Sequence, residues 1–301
     1  MKINNKKIAF ALTLAAAAVF NANAQDAPQE KSNFVVHKLS DSLYAIGEPT
    51  YYQANYSYLI VGDDKALMLD AGAEQKEDIT KVVKRITQKP LSVLPSHLHF
   101  DHIAGLHNFD SIYLLDTEFT RKFKQNDGLY HVPESVYLGD FDKFVLEPFK
   151  VSRLVKPNEV IDLGGVKLKL LSMPGHTQDE VALYDEKNNV LLSGDHLYPS
   201  SLFVGNMKDY VASVSATLNV INKDTAIYGA HAGSDPNLVP KMTYEEIALI
   251  RDKLIAAEDK TIKPDPFPGS DLVKSTNLYN VDKEVSILSD IEFKDGRKYG
   301  Y

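Results

Sequence analysis

The chain has 301 residues, of which 44% are hydrophobic and 25% charged, with ordinary amounts of glycine and proline. This composition is typical of a folded globular protein and excludes a fibrous or intrinsically disordered chain. The formal net charge is −8 and dense lysine or arginine runs are absent beyond the first residues, so a nucleic-acid-binding protein with a basic face is disfavoured.

The chain contains no cysteine. Disulfides therefore cannot stabilise it, and thiolates cannot act as nucleophiles or as metal ligands. Histidine and carboxylate side chains remain as the strong candidates for binding a metal.

The first 24 residues have the three parts of a secretory signal peptide. Lysines are concentrated in Met1–Lys7, an apolar run interrupted only by Thr13 covers Ile8–Phe20, and Ala22-Asn23-Ala24 supplies small residues for cleavage. The apolar run is shorter than the roughly 20 residues that span a bilayer, which disfavours stable membrane insertion. We expect export with cleavage after Ala24 to a periplasmic or secreted protein, and a single domain over residues 25–301.

Short strands joined by tight turns are predicted after the signal peptide. Turn-forming residues separate four apolar or alternating runs, at Phe34–Leu39, Leu43–Gly47, Tyr56–Val61 and Ala66–Asp70. Apolar residues at helical spacing between Ile79 and Ile86 then predict a helix that ends before Pro90. The apolar run Leu91–Leu94 predicts a buried strand.

The same order of strands followed by helices returns later in the chain. Strands are predicted at Ser111–Leu115, Val166–Ser172, Val181–Asp185, Val190–Ser193 and Ala226–Tyr228. Apolar spacing from Val211 to Ile221 predicts one helix, Thr243 with Glu246 forms the capping box of another, and Val285–Ile291 predicts an edge strand. The two blocks favour an α+β fold, an αβ/βα four-layer sandwich in which two packed mixed β-sheets have helices on the outside.

Three histidines and an aspartate are concentrated directly after the predicted buried strand. They lie in Ser96–His102, whose sequence is SHLHFDH. Alternate residues of an extended segment point to the same side, so His97 and His99 can reach one ion, while Asp101 and His102 turn towards a neighbouring position. Imidazole and carboxylate are good zinc ligands, so the segment predicts metal binding rather than a cluster of exposed polar loop residues.

The pattern His-x-His-x-Asp-His after a strand resembles the signature of the metallo-β-lactamase superfamily. Four further motifs stand in the order typical of that family: Leu69-Asp70-Ala71-Gly72, Pro174-Gly175-His176-Thr177, Ser193-Gly194-Asp195 and Gly229-Ala230-His231. The resemblance covers about Asn55 to Gly233 and implies the fold of that family.

The resemblance also implies a site for two zinc ions per chain. One ion is assigned to three histidines, His97, His99 and His176. The other is assigned to three side chains, Asp101, His102 and His231. Asp195 would bridge the two ions, and Asp70 would orient a ligand from outside the coordination sphere.

Two adjacent divalent ions imply hydrolysis. They would lower the pKa of a water held between them, so that a bridging hydroxide forms near neutral pH and attacks a substrate carbonyl. Asp101 would act as a catalytic residue that orients this nucleophile and takes its proton. The expected partner is therefore a small-molecule acyl substrate.

Asp195 and Tyr198 narrow the substrate class. A bridging aspartate resembles glyoxalase II, acyl-homoserine lactonases and acyl-CoA thioesterases, whereas zinc β-lactamases have a cysteine or no ligand at this place. The Asp-x-x-Tyr spacing resembles the lactonases, in which the phenol hydrogen-bonds to the substrate carbonyl; the alternative for Tyr198 is a core aromatic residue. We interpret the chain as a hydrolase of a lactone, thioester or ester, with an N-acyl-homoserine lactone as the single best candidate.

Other functions stay open from the sequence alone. Hydrolysis of β-lactams is favoured by export but disfavoured by Asp195 and by a tyrosine where many β-lactamases have a substrate-binding lysine. Phosphodiester cleavage is disfavoured by the acidic net charge. A metal-binding module without turnover is a further alternative.

Two features have no assigned role. The segment from Phe119 to Phe149 is rich in aromatic residues and either covers the metal face for an acyl chain or forms a separate hydrophobic cluster. His196 lies next to Asp195 and is a candidate for the cleft, although a lone histidine is more often a packing or surface residue.

Overall fold

The computed structural model describes residues 32–301, and the predicted signal peptide and cleavage site lie outside that range. The described chain begins with a sheet of five strands in chain order: β1 (Val35–Lys38), β2 (Leu43–Gly47), β3 (Tyr56–Val61), β4 (Ala66–Leu69) and β5 (Leu91–Leu94). Neighbouring strands are antiparallel except β4 and β5. That pair is parallel because helix α1 (Ile79–Ile86) makes the crossover between them.

Short elements connect this sheet to the second half of the chain. They are α2 (Phe100–Ile103), β6 (Tyr113–Leu115), α3 (Glu118–Arg121), α4 (Glu134–Tyr137) and β7 (Arg153–Val155), with single turns of 3-10 helix at Leu106–Asn108 and Gly139–Asp142. Strands β6 and β7 pair in parallel as a small separate sheet.

The second large sheet has six strands. In chain order the elements of this half are β8 (Val160–Asp162), β9 (Lys167–Ser172), β10 (Val181–Asp185), β11 (Val190–Leu192), β12 (Ser201–Val204), α5 (Met207–Leu218), β13 (Ala226–Tyr228), β14 (Lys241–Met242) and α6 (Tyr244–Glu258). Across the sheet the order is β14-β13-β11-β10-β9-β8. Only β11 and β13 are parallel in it, with helix α5 between them, so this sheet is mixed as well.

Three hydrophobic clusters show how these elements are layered. One cluster joins the facing sides of the two large sheets, with Leu67 and Leu94 against Leu170 and Leu183. A second packs α1 on the outer face of the first sheet, and a third packs α5 and α6 on the outer face of the second. The predicted four-layer sandwich of two mixed sheets between helices is confirmed.

The sequence signals at helix ends are found in the structure. Asp78 caps α1 by accepting a hydrogen bond from the backbone N–H of Thr80. Thr243 and Glu246 form the predicted capping box of α6. Among the helices of residues 32–301, none is both long enough and apolar enough to cross a membrane.

The C-terminal segment forms a third sheet. Strands β15 (Val273–Asn280) and β16 (Ser286–Phe293) make an antiparallel hairpin, and β16 also pairs in parallel with β12. The strand predicted at Val285–Ile291 is therefore real, but it is the central strand of three rather than an edge strand. This arrangement brings the last residues of the chain next to β12, at the end of the sandwich where the histidine motifs meet.

Candidate metal centre

All seven predicted metal ligands meet at one end of the two large sheets. The first four follow β5, either in the loop or at the start of α2; they are His97, His99, Asp101 and His102. The other three follow β9, β11 and β13 of the second sheet; they are His176, Asp195 and His231. Their side chains form two groups in which the candidate ligand atoms lie within 4.8 Å of one another.

The first group consists of three buried imidazoles. The Nε2 atom of His97 lies 2.8 Å from Nδ1 of His99, and Nε2 of His176 lies 3.2 Å from the same Nδ1. The three rings stand nearly perpendicular to one another. Three ring nitrogens therefore converge on one point.

The second group combines two imidazoles with two carboxylates. Oδ2 of Asp101 lies 3.4 Å from Nε2 of His102 and 3.5 Å from Nε2 of His231. Oδ1 of Asp195 lies 3.3 Å and 3.0 Å from the same two nitrogens. The other oxygen of Asp195 lies 3.6 Å from Nε2 of His176 in the first group. Asp195 is thus placed between the groups, where a bridging ligand would have to be.

Contacts behind the ligands fix their orientation. Three histidines use Nδ1 for a partner outside the groups: His102 bonds to Asp70 (3.0 Å), His176 to the carbonyl of Phe203 (2.8 Å) and His231 to the carbonyl of Gln53 (3.0 Å). With the proton on Nδ1, the lone pair of Nε2 is free for a metal. Asp70 has the position that the sequence resemblance implies, since it also accepts the backbone N–H and the hydroxyl of Ser96.

Two residues that support the ligands were not found by sequence analysis. Glu180 is fully buried; its Oε1 accepts the backbone N–H of Asp195 at 3.1 Å, and its Oε2 lies 3.5 Å from Nδ1 of His97. Asn55 donates from its amide to the backbone carbonyl of Asp101 at 2.9 Å and to Oδ2 of Asp101 at 3.1 Å. The acidic pair Asp179-Glu180 before a strand of buried residues is a signal for Glu180, but Asn55 carries none.

Burial and neighbouring charges shift the pKa values of the side chains differently in the two groups. Burial, reinforced by neighbouring imidazoles, lowers the pKa of His97 far below its usual value and that of His99 to about 3, so these rings are neutral and can act as ligands. Burial alone would raise the pKa of Asp195, but His231 and His102 hold it well below its usual range. The carboxylates of the second group are therefore ionised and available to a cation.

Buried atoms without partners test whether these residues fit a metal. Nε2 of His102 and Oδ1 of Asp195 are buried, and neither makes a hydrogen bond. Leaving such groups unsatisfied is costly, whereas a cation between them would satisfy both. Imidazole nitrogens and carboxylate oxygens in this ratio suit a divalent ion such as zinc.

A cavity of about 560 Å³ opens above the two groups. Its floor includes His99, Asp101 and Asp195, and its walls are rich in aromatic and aliphatic side chains, among them Tyr51, Tyr52, Phe141, Leu272 and Phe293. All of its lining residues belong to the described part of the chain, and no lysine or arginine is among them. An uncharged, largely apolar ligand suits such a cavity.

Tyr198 lines this cavity with its ring edge-on to His231, the two ring centres being 5.0 Å apart. Its hydroxyl donates to the backbone carbonyl of Ser201. The phenol proton predicted for a substrate carbonyl is thus bound to the backbone here. Burial raises the pKa of Tyr198 well above its usual value, so the hydroxyl keeps its proton.

His196 does not line the cavity. It is fully buried, its ring is stacked on Tyr210 with centres 4.1 Å apart, and burial lowers its pKa to about 3. The structure places it in the core under α5, which is the packing alternative for this histidine.

Part of the aromatic segment from Phe119 to Phe149 covers the metal face, and part of it forms a separate hydrophobic cluster. Phe141 and the neighbouring Leu138 line the cavity. Most of the other aromatic residues of the segment pack into the cluster on the outer face of the first sheet; they include Phe123, Tyr130, Tyr137 and Phe149. The middle of the segment therefore reaches this cavity, and Phe119 at its start lines a neighbouring cavity that also includes His99 and His176.

The four-layer fold combines with two adjacent groups of histidine and aspartate side chains, beneath one cavity, that could each hold a metal ion. A model of the family described as "Metallo-beta-lactamase superfamily" matches residues 52–230. The chain belongs to this superfamily.

Two relatives of this chain are named as hydrolases or thioesterases. The chain is 26% identical over 222 residues to the acyl-coenzyme A thioesterase MBLAC2 of Gallus gallus, covering 62% of this chain and 76% of the relative. It is 28% identical over 193 residues to a hydroxyacylglutathione hydrolase of Francisella philomiragia, covering 61% of this chain and 65% of the relative. These relatives support hydrolysis as the activity.

Solved structures show the same fold. An archaeal metallo-beta-lactamase superfamily protein from Sulfolobus tokodaii superposes with a TM-score of 0.56 at 20% identity, covering 76% of this chain and 91% of that one. A metallo-beta-lactamase from Pontibacter korlensis superposes with a TM-score of 0.53 at 16% identity, covering 74% of this chain and 99% of that one. Both comparisons bear on the fold alone.

Proposed function

We propose that the protein is an exported, zinc-dependent hydrolase that opens an uncharged lactone, thioester or ester, with an N-acyl-homoserine lactone as the best single candidate. The observation that carries the proposal is a cavity with apolar walls and no cationic side chain above two metal groups joined by Asp195. Export rests on the signal-peptide pattern of Met1–Ala24. An intact mass of the exported protein that begins at Gln25 supports it, and retention of the first 24 residues contradicts it.

The absence of lysine and arginine from the lining of the cavity favours an uncharged substrate. Carboxylate and phosphate groups of ligands are bound by arginine or lysine, which provide charge-assisted hydrogen bonds. Glutathione thioesters, coenzyme A thioesters and carbapenems all carry such groups, whereas an acyl lactone carries none. The aromatic walls formed by Tyr51, Phe141 and Phe293 can bury an acyl chain.

Asp101 is placed to accept the proton of the attacking water. When bound, two zinc ions supply water of lowered pKa and polarise a carbonyl. Asp101 is held by the amide of Asn55, and its Oδ2 lies within 3.5 Å of Nε2 of His102 and of His231. A carboxylate in this place orients the attacking water and accepts its proton. Tyr198 is a candidate donor to the substrate carbonyl in this scheme, but it can act only after its hydroxyl leaves the carbonyl of Ser201.

A thioesterase of the acyl-CoA type is the second candidate, because the MBLAC2 relative is described as an acyl-coenzyme A thioesterase. In this case the acyl chain would occupy the cavity, and the nucleotide would remain outside it. The two candidates share the chemistry and differ in the charge of the leaving group.

A substrate panel on the mature, zinc-loaded protein tests the proposal. The panel contains a long-chain and a short-chain acyl-homoserine lactone, an acyl-CoA, S-lactoylglutathione, a carbapenem and a phosphodiester. We expect kcat/KM to be highest on the long-chain lactone, since each buried methylene contributes about fourfold. Asp101→Asn, measured in parallel, should lower the rate on every turned-over substrate.

The other results of the panel have defined meanings. Preference for acyl-CoA favours the second candidate. Preference for the carbapenem contradicts the substrate class. A protein that binds two metal ions and turns over none of the six compounds is a metal-binding module, and the proposal is then wrong.

A further inference from the structure

We propose that Tyr299 is a substrate-contacting residue of the metal centre: its hydroxyl donates to the scissile carbonyl oxygen, and its ring confines the substrate to the cavity described above. This inference rests on the proposed function and adds a residue that lies far outside the histidine motifs. Tyr299 was not among the residues singled out from the sequence.

The C-terminal segment holds Tyr299 over the first metal group. After β16 the chain turns back, and the N–H of Tyr299 donates to the carbonyl of Ile291 at 2.9 Å. The next residue, Gly300, has a φ of 128° and packs so closely on Gly205 that a Cβ atom would lie 2.6 Å from the Gly205 carbonyl oxygen. The ring of Tyr299 lies 5.5 Å from that of His176 and 5.9 Å from that of His99, measured between ring centres. The backbone on both sides therefore fixes the position of this phenol.

The hydroxyl of Tyr299 lies against a predicted metal ligand. Its oxygen is 3.1 Å from Nε2 of His176, 2.9 Å from Nδ1 and 3.1 Å from the His176 carbonyl oxygen. Nδ1 already donates its proton to the carbonyl of Phe203. When Nε2 gives its lone pair to a metal, the phenol proton can go to the carbonyl of His176 or to an acceptor in the cavity. A carbonyl oxygen of a substrate at the first metal group is such an acceptor.

The other tyrosines that line the cavity are less suited to this role. Tyr51 donates its hydroxyl proton to Asp142 at 3.2 Å. Tyr198 donates its proton to the carbonyl of Ser201. Tyr52 is 67% exposed and lies at the rim. Of the cavity tyrosines in the described chain, Tyr299 is the one whose hydroxyl contacts a metal-ligating side chain.

Tyr299 also lies between two chambers. A second cavity of about 260 Å³ shares five lining residues with the first: His99, Leu138, His176, Phe293 and Tyr299. Unlike the first cavity, it has Arg297 and Lys298 in its lining. Arg297 is paired with Asp295 and Glu134, whereas Lys298 is exposed. The phenol thus stands between a chamber without cationic side chains and one in which Lys298 can receive an anionic group.

Two variants test the two halves of the proposal. Tyr299→Phe removes the donor and keeps the wall; we expect kcat on the best substrate of the panel to fall about 10–100-fold, less than the roughly 10²–10³-fold for a lone oxyanion donor because a metal also polarises the carbonyl. Tyr299→Ala joins the chambers, and we expect kcat/KM for an anionic thioester to rise relative to that for an uncharged lactone. Tyr44→Phe, a half-buried tyrosine on β2 outside both cavities, is the matched control and should change neither quantity.

A binding measurement makes the test independent of turnover. Decanoate, the carboxylate that a decanoyl thioester or ester releases and a substitute for the ring-opened lactone, is titrated calorimetrically into wild type and Tyr299→Phe with metal content determined in both. Loss of one hydrogen bond to a charged ligand should weaken binding about 10-fold or more while two metals stay bound. This arm gives a result even if the wild type turns over no compound of the panel, so failure of the proposed function is separated from failure of this inference.

The results that contradict the inference are equally specific. Unchanged decanoate affinity and unchanged kcat in Tyr299→Phe rule out the donor role. Loss of metal in Tyr299→Phe shows that the phenol acts only by orienting His176, which also overturns it. An unaltered ratio of anionic to uncharged substrates in Tyr299→Ala rules out the separating wall.

Discussion

Glu180 links the two metal groups from the side away from the cavity. One of its oxygens accepts the backbone N–H of Asp195, and the other faces Nδ1 of His97. Burial and the nearby Asp195 carboxylate raise the pKa of Glu180 well above its usual value. A carboxylate kept in such a place is costly unless a nearby positive charge or a proton compensates it. A cation in the metal site would compensate this carboxylate, which gives Glu180 a role behind the candidate ligands.

Replacing Glu180 by glutamine tests this role. Glu180→Gln keeps the volume of the side chain. Its amide N–H, however, must point at either the backbone N–H of Asp195 or Nδ1 of His97, and both of these are donors. We expect metal affinity to fall about 10–100-fold, as is typical when a partner behind a ligand is lost. Competition with a chromogenic chelator measures this affinity, and the exposed Glu186→Gln serves as control. An affinity equal to that of the wild type would show that Glu180 is only a packing residue.

The residues of the two candidate metal groups could be identified from sequence because each lies in a short motif with its own local signal. His97, His99, Asp101 and His102 stand within six residues, and the structure brings them together with His176, Asp195 and His231. Asn55 and Tyr299 could not be predicted in this way. Their partners, Asp101 and His176, are 46 and 123 residues away, and a single asparagine or tyrosine has no local pattern.

At the scale of elements, helix α6 is the clearest case in which sequence chemistry defines a boundary. The Thr243 hydroxyl accepts the N–H of Glu246, and the Glu246 carboxylate accepts the N–H of Thr243. Buried Ile247, Ile250 and Leu254 attach the helix to the second sheet. The helix is therefore defined locally at its start and by packing along its length.

Removing the cap should cost stability without affecting the metal centre. Thr243→Ala loses one side-chain bond to an otherwise unsatisfied N–H, so we expect the free energy of unfolding to fall by about 0.5–2 kcal/mol. Urea denaturation followed by circular dichroism measures the change. Glu258→Gln at the other end of α6 is the control, and it should leave stability equal or slightly higher because a negative charge near a helix C-terminus is unfavourable. A loss of metal in Thr243→Ala would contradict the separation of helix and site.

Elements that depend on distant pairing were harder to predict. Nine of the eleven strands of the two large sheets have strong alternation or apolar runs, and their predicted bounds agree with the structure to within one or two residues. The short strands β8 and β14 were not predicted. The third sheet pairs Ser201 with Ser286, a separation that no local pattern records. The prediction of an edge strand at Val285–Ile291 was wrong for this reason: one neighbour is the preceding strand β15, but the other, β12, lies 85 residues earlier in the chain.

At the scale of the whole molecule, each candidate metal position takes ligands from both sheets. The first combines His97 and His99, which follow β5, with His176, which follows β9. The second combines the start of α2 with the ends of β11 and β13. In a chain without cysteine, bound metal would be the strongest link between the two halves of the fold.

Metal removal should therefore lower global stability. Ions present at about 1,000 times their dissociation constant would stabilise the fold by roughly 4 kcal/mol per site. For two sites this is about 8 kcal/mol, so we expect dialysis against a chelator to lower the thermal midpoint by about 15–30 °C, since each kcal/mol is worth about 2–4 °C at this size. His231→Ala should lose metal from the second position first, while His97→Ala should lose most activity.

Calorimetry and metal analysis on the same samples decide this prediction. The exposed His107→Ala is the control and should keep both the midpoint and about two metals per chain, the ratio expected for two sites of this kind. A single bound metal that is insensitive to His231→Ala would contradict the binuclear site. A thermal midpoint that does not change on chelation would show that bound metal does not stabilise the contact between the two sheets.

The packing between the two sheets has a consequence for how the activity can change over time. Side chains such as Leu94 and Leu183 occupy the space between the layers, and their volumes set how far apart the two ligand-bearing ends stand. A substitution that adds or removes methyl groups there alters the distance between the two ligand sets, although the ligand residues themselves are unchanged. Substitutions in an apolar core far from the cavity thus give natural variation a way to adjust reaction rate and metal preference without altering the residues that perform the chemistry.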